Sequence, residues 1–166
     1  AEVSTTFMAN GAEVNIILYL TLEKENLGSK WILSNVWYSY FPSLFPLVDS
    51  ATQAKYFLHP MSHELDFMNL HKALERPDRI QLYASQNYNL DCLTLFFYHF
   101  KTGDCKSKQM NTVKFHFFQI PNWYFELSYF NRTDINSGWL ISNLKYVNVE
   151  EKKELIKSYQ LCASVD

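Results

Sequence analysis

The 166-residue chain is short of the residues from which several kinds of functional site are built. Its four glycines are too few for a glycine-rich phosphate loop, and no Gly-x-Ser-x-Gly elbow of a serine hydrolase occurs. No run approaches the roughly eighteen apolar residues of a membrane-spanning helix. Charged residues make up 19% and the net charge is -2, so no large uniform field attracts nucleic acid. These absences predict a protein without catalytic residues, cofactor, nucleic-acid partner or transmembrane segment.

The five histidines do not predict a metal site. His59 and His63 are four residues apart, but Pro60 prevents a continuous helix that would place both on one face. His99 and His116 fall on predicted neighbouring strands, with no acidic residue or cysteine in phase to complete a site. We therefore expect no bound metal, and a binding protein rather than an enzyme.

Three cysteines, an odd number, are typical of a secreted protein with one disulfide and one leftover thiol. If residues 92–100 are extended, Cys92 and Cys105 lie roughly 25–30 Å apart, which is too far for a bridge. We predict a bridge between Cys105 and Cys162, with Cys92 and Cys162 as the alternative. Three reduced cysteines in a cytosolic protein is the other interpretation.

Two further features favour secretion. The chain opens on Ala1 without an initiator methionine, as a mature or trimmed product does. Asn131-Arg132-Thr133 matches the acceptor pattern for N-glycosylation, and we predict a glycan on Asn131.

Aromatic residues are abundant, with 13 Phe, 11 Tyr and 4 Trp. They concentrate in residues 92–100, 113–120 and 123–130, which we predict to be strands. In 123–130, Trp123, Phe125, Leu127 and Tyr129 share one face, which we predict to be buried. Both faces of 92–100 are apolar, so this segment is predicted to be the central strand, covered on two sides.

The rest of the chain predicts a mainly β fold, an antiparallel barrel or sandwich of about eight strands in one domain spanning residues 1–166. Residues 1–11 are predicted to be an arm, 41–46 an apolar loop and 101–112 a long loop. A helix over 63–75 is inserted, and a C-terminal helix begins at the capping box Asn148 to Glu151. The other predicted strands are 13–22, 30–41, 55–58, 79–84 and 139–147.

Several aromatic side chains occupy strand faces opposite the most regular apolar ones, or neighbouring loops. A second layer covers them, or they line a cavity or a recognition surface. The candidate binding residues are Trp37, Tyr38, Tyr40, Phe45, Tyr98, Trp123 and Tyr124. The favoured function is a carrier whose aromatic-lined cavity holds a small apolar ligand. The alternative is a secreted, host-modulating factor that binds another protein through an exposed aromatic sheet face.

Two family resemblances accompany these hypotheses. The strand count, the C-terminal helix and its disulfide resemble a lipocalin, and Gly28-Ser29-Lys30-Trp31 and Thr133-Asp134 are similar to lipocalin motifs; the first has one residue more than the motif. This resemblance implies a small-ligand barrel. Pro121-Asn122-Trp123-Tyr124 resembles the membrane-binding surface of actinoporin-like toxins, which implies a membrane-binding β-sandwich as a third function, although their amphipathic N-terminal helix is absent.

Overall fold

A computed structural model describes residues 1–26, 28–45, 48–53, 55–56, 73–85, 88–133 and 136–159. The chain forms two compact units, one built from residues 1–39 and 91–166 and the other from residues 40–90. The first unit contains one antiparallel sheet of six strands. The mainly β prediction is confirmed, with six strands in place of about eight.

The six strands are β1 (Glu2–Ala9), β2 (Ala12–Glu25), β3 (Gly28–Trp37), β4 (Cys105–Phe117), β5 (Trp123–Phe130) and β6 (Gly138–Tyr146). Their order across the sheet is β3-β2-β1-β4-β5-β6. The predicted strand pair 13–22 and 30–41 is the β2–β3 hairpin, and the predicted strands 123–130 and 139–147 are β5 and β6.

The first eleven residues are wrongly predicted as an arm, because β1 is a central strand between β2 and β4. Asn10 and Gly11 connect β1 to β2 with positive φ angles of 51° and 79°. A two-residue turn of this kind matches the twist of the flanking strands and favours Asn-Gly. β4 also extends back to Cys105, so residues 105–112 pair with β1 and are not part of a loop.

Residues 92–100 are wrongly predicted as the central strand, because they form the helix α3 (Cys92–Thr102). The Asp91 carboxylate accepts hydrogen bonds from the backbone N–H groups of Leu93 and Thr94, which caps the first turn. Gly103, at φ 85°, ends the helix in the left-handed conformation. α3 packs on the sheet through Phe96, whose ring meets that of Phe7 edge to face at 5.7 Å.

The C-terminal helix α4 (Val149–Ser158) confirms the predicted capping box. The Asn148 side chain accepts from the Glu151 N–H, and the Glu151 carboxylate accepts from the Asn148 N–H. The Lys152 ammonium donates to the carbonyls of Phe118 and Ile120, which ties α4 to the β4–β5 connection.

The unit of residues 40–90 contains the short helices α1 (Tyr40–Leu44) and α2 (Ser50–Gln53) and a 3-10 helix (Pro77–Tyr83). The apolar loop predicted at 41–46 is therefore partly helical, since Pro42 falls in the first turn, where its missing N–H costs little. The strand predicted at 79–84 is the 3-10 helix. Residues 55 and 56 are not in a strand, while 57 and 58 and most of the helix predicted at 63–75 lie outside the described residues.

Cys105 is the first residue of β4, where it pairs with Ala9 and its thiol is buried and free. The predicted bridge from Cys105 to Cys162 is therefore wrong. That bridge requires residue 105 to lie in a polar loop, whereas Cys105 begins a strand. The alternative bridge from Cys92 stays a prediction, since Cys162 lies outside the described residues.

Candidate functional site

The largest exposed apolar surface that we describe lies on one face of β4, β5 and β6. The register places Trp123 beside Tyr146, Phe125 beside Leu144, Leu127 beside Ile141, and Tyr129 beside Trp139. Phe115 and Phe117 of β4 continue this face opposite Leu127 and Phe125. We call these ten side chains the aromatic face. None of them carries a charge.

The aromatic face is open over much of its area. Its six most exposed side chains have between 39% and 63% of their surface accessible. They are Trp123, Tyr129, Trp139, Ile141, Leu144 and Tyr146. The face is nevertheless ordered by contacts between its rings, because Phe117 stacks on Phe125 at 4.6 Å and Trp139 contacts both Phe115 at 5.1 Å and Tyr129 at 5.6 Å.

One margin of the aromatic face is curved. Trp31 lies on β3, three strands from β4 in the sheet order, and in a flat sheet that distance is about 14 Å. The rings of Trp31 and Phe115 are only 6.1 Å apart. The β2–β3 hairpin therefore curls over the aromatic face and adds Trp31 and its partner Leu22 to the margin.

The opposite face of the same strands holds a group of polar side chains beside the C-terminal end of α4. We call Glu2, His116, Tyr124, Glu126 and Tyr159 the polar network. The His116 Nδ1 atom is 2.9 Å from the Tyr124 hydroxyl, which lies 3.3 Å from the Tyr159 hydroxyl and 3.4 Å from a Glu126 oxygen. These contacts join β4, β5 and the residue that follows α4.

His116 is the centre of the polar network, with a side chain only 6% exposed. Its Nε2 atom lies 3.3 Å from the Glu2 carboxylate, without the angles of a regular hydrogen bond. The contact is therefore an ion pair when the ring is protonated. Proximity to His116 is the main reason that the pKa of the Glu2 carboxyl is lowered, and burial opposes it.

The tyrosines around the network resist ionisation. Burial raises the pKa of Tyr19 to about 12, and the nearby Glu2 adds to the effect. Burial also raises the pKa of Tyr124 and of Tyr159. Within the residues described, no group of histidine, cysteine and acidic side chains is arranged to hold a metal ion. We interpret the polar network as a structural element that holds the C-terminal end of α4 against the strands, because its polar atoms contact one another.

The structure separates the predicted binding residues. Trp123 belongs to the aromatic face, while its neighbour Tyr124 is 4% exposed and belongs to the polar network. Tyr38 is buried after β3, Trp37 ends β3, and Tyr98 is exposed on α3. Tyr40 and Phe45 lie in the unit of residues 40–90.

The two faces of β5 are the reverse of the prediction. The face of Trp123, Phe125, Leu127 and Tyr129 was predicted to be buried, yet it is the open one. The ring of Tyr159, the residue after α4, lies on the face of Tyr124 instead, with the two hydroxyls 3.3 Å apart. Trp139 and Ile141 alternate in one phase and Leu144 and Tyr146 in the other, and a register shift opposite Glu126 and Leu127 brings all four to one face, which simple alternation does not indicate.

In the part of the chain that the structure describes, no helix is long and apolar enough to cross a membrane. Comparison with known proteins gives no relative: no family model matches the chain, and no curated protein and no solved structure matches it either.

Proposed function

We propose that this protein is a non-catalytic binding protein that docks another protein on its aromatic face. The single observation behind the proposal is the open, uncharged surface of β4–β6, where six large apolar side chains are at least 39% exposed. Exposed apolar patches of this kind on soluble proteins mark interaction sites. Tyr and Trp are also the residues that most often dominate binding energy at protein interfaces.

The open sheet supports a protein partner over the small-ligand carrier. β3 and β6 are the two edges of the sheet order, and the six most exposed side chains of the aromatic face lie on β5 and β6, away from the margin that the β2–β3 hairpin covers. A small ligand held there would keep much of its own surface in water, whereas typical ligand sites bury 70–90% of it.

The curved margin supports the small-ligand carrier as a second candidate. Trp31, Phe115 and Trp139 lie in a row with ring separations of 6.1 Å and 5.1 Å, and together they form a continuous aromatic surface of the kind that lines small-molecule sites. Native mass spectrometry of protein purified from its source tests this function. A co-purifying small molecule released on denaturation would favour the carrier, and clean apo protein would count against it.

Variant-dependent capture tests the protein-binding function. The wild-type chain, a Leu144→Glu variant and a Val149→Glu variant are used as baits in extracts or fluids of the source. Leu144 lies on the aromatic face and Val149 is a similarly exposed apolar residue on α4, so the two variants add the same charge at different surfaces. We expect partners held by the wild type and by Val149→Glu to be lost with Leu144→Glu. Equal capture by all three baits would contradict the proposal.

We further propose that the protein is secreted and carries a glycan on Asn131. The sequon is accessible, since Asn131 and Thr133 are both exposed directly after β5. Intact mass before and after glycosidase, reduction and alkylation tests this, with Asn131→Gln as the control. Absence of a glycan together with three alkylated thiols without reduction would place the protein in a reducing compartment.

A further inference from the structure

We infer that the partner on the aromatic face is a second copy of this chain, packed through the same face about a twofold axis. This inference rests on the proposed function, because it names the occupant of the same surface. Three properties of the aromatic face favour this occupant: its area, its lack of charge and the position of its open side chains.

The area matches one side of a stable interface. Aromatic side chains present about 150–250 Å² each, so the exposed fractions of Trp123, Tyr129, Trp139 and Tyr146 correspond to roughly 300–500 Å². Ile141 and Leu144 are both more than half exposed and add to this area. A standard interface buries about 800 Å² per partner. The remaining area comes from the half-buried Phe125 and Leu127 of β5 and from Trp31 at the margin of the face.

The absence of charge favours an identical partner. Interfaces between transient, unlike partners are about as polar as ordinary protein surface, while homodimer interfaces are more apolar and resemble a divided core. All ten positions of the aromatic face are uncharged. Such a surface is complementary to itself, because it presents no like charges to be brought together by a twofold axis.

The position of the open side chains sets where the two copies meet. All six lie on β5 and β6, and β6 is an edge of the sheet order. The β2–β3 hairpin curls over the other margin of the face, where the rings of Trp31 and Phe115 are 6.1 Å apart. The two copies therefore meet through β5 and β6.

Sedimentation velocity across about 1–100 µM tests the inference with the same three proteins. We expect the wild type to change from the 19.6 kDa monomer to a species of twice that mass as concentration rises. Leu144→Glu should weaken dimerisation at least tenfold, because it places a charge in an apolar interface, and Val149→Glu should leave it unchanged. Circular dichroism confirms that each variant folds, and Leu144→Ser replaces Leu144→Glu if the charge prevents folding.

A second measurement does not depend on variants. The wild-type melting temperature should rise with protein concentration, since dimerisation stabilises the folded state by mass action. A wild type that stays monomeric at 100 µM, or a dimer that Leu144→Glu leaves intact, would overturn the inference. If monomeric protein still captures a different protein through Leu144, the proposed function stands and only the second copy is excluded. If capture also ignores Leu144, both fail.

Discussion

Glu2 is the residue whose ionisation matters most for the polar network. Its contact with His116 holds the pKa of its carboxyl below the ordinary value, so the folded state binds a proton less readily than the unfolded chain does. The resulting stabilisation is present above the unfolded pKa of about 4.3 and is lost as pH falls through the folded value. We expect Glu2→Gln to lower the free energy of unfolding by about 1 kcal/mol at pH 6.

Urea unfolding of both proteins between pH 3 and pH 6 measures this difference, which should shrink toward the acid end. Glu13→Gln is the matched control, since Glu13 pairs with Lys108 on the open surface, where an ion pair contributes little. A Glu2→Gln effect that is the same at pH 3 and pH 6 would show that the network does not depend on the charge of Glu2.

At the level of single residues, the sequence indicated which side chains share a face but not which face is open. Trp123 and Tyr124 are both predicted binding residues, and alternation places them on opposite sides of the strand. Their burial depends on where Tyr159, the residue after α4, packs on the sheet. This is a tertiary contact that the local pattern of β5 does not predict. The sequence does not predict the contact between His116 and Glu2, because the two residues are 114 positions apart.

Among the elements, α3 depends on its N-terminal cap. The Asp91 carboxylate accepts from two backbone N–H groups and from the Thr94 hydroxyl, and these hydrogen bonds lower its pKa, with the Thr94 side chain the largest cause. We expect Asp91→Ala to destabilise the protein by about 1 kcal/mol at pH 7. The loss should diminish below about pH 4, because protonation of the wild-type carboxyl removes the same interaction.

Chemical denaturation followed by circular dichroism measures the Asp91→Ala effect, and Asp91→Asn is the conservative variant that should retain most of the cap. Equal destabilisation by both variants would mean that the carboxylate charge, and not the capping geometry, is required.

Two elements show why part of the fold was not predicted. Residues 92–100 are apolar on every side, so periodicity does not distinguish a buried strand from a helix, and only Asp91 before the segment and Gly103 after it indicated the helix. β1 consists largely of small and polar residues and becomes a strand because β2 and β4 both pair with it. By contrast, β2, β5 and α4 carry their own alternation or capping box and were predicted correctly.

For the molecule as a whole, the buried tyrosines predict a loss of stability in alkali. Tyr19 has a folded pKa of about 12 against an ordinary value of about 10, so the folded state holds its proton more tightly than the unfolded chain. That stability is fully present below pH 10 and is lost as pH rises toward 12. Ultraviolet difference absorbance should show a late phase near pH 12 that is reduced in Tyr19→Phe. Ionisation of all eleven tyrosines by pH 11 would contradict this.

The central position of β1 has a consequence for synthesis. Its partners in β4, from Ala9 with Cys105 to Glu2 with Lys114, are roughly 100 residues further along the chain. A ribosome translates about 5–20 residues per second, so β4 is synthesised roughly 5–20 s after β1. During that interval the β1–β2 hairpin presents an unpaired inner edge, and such edges recruit other chains. The nascent protein is therefore most exposed to aggregation before its last third is translated.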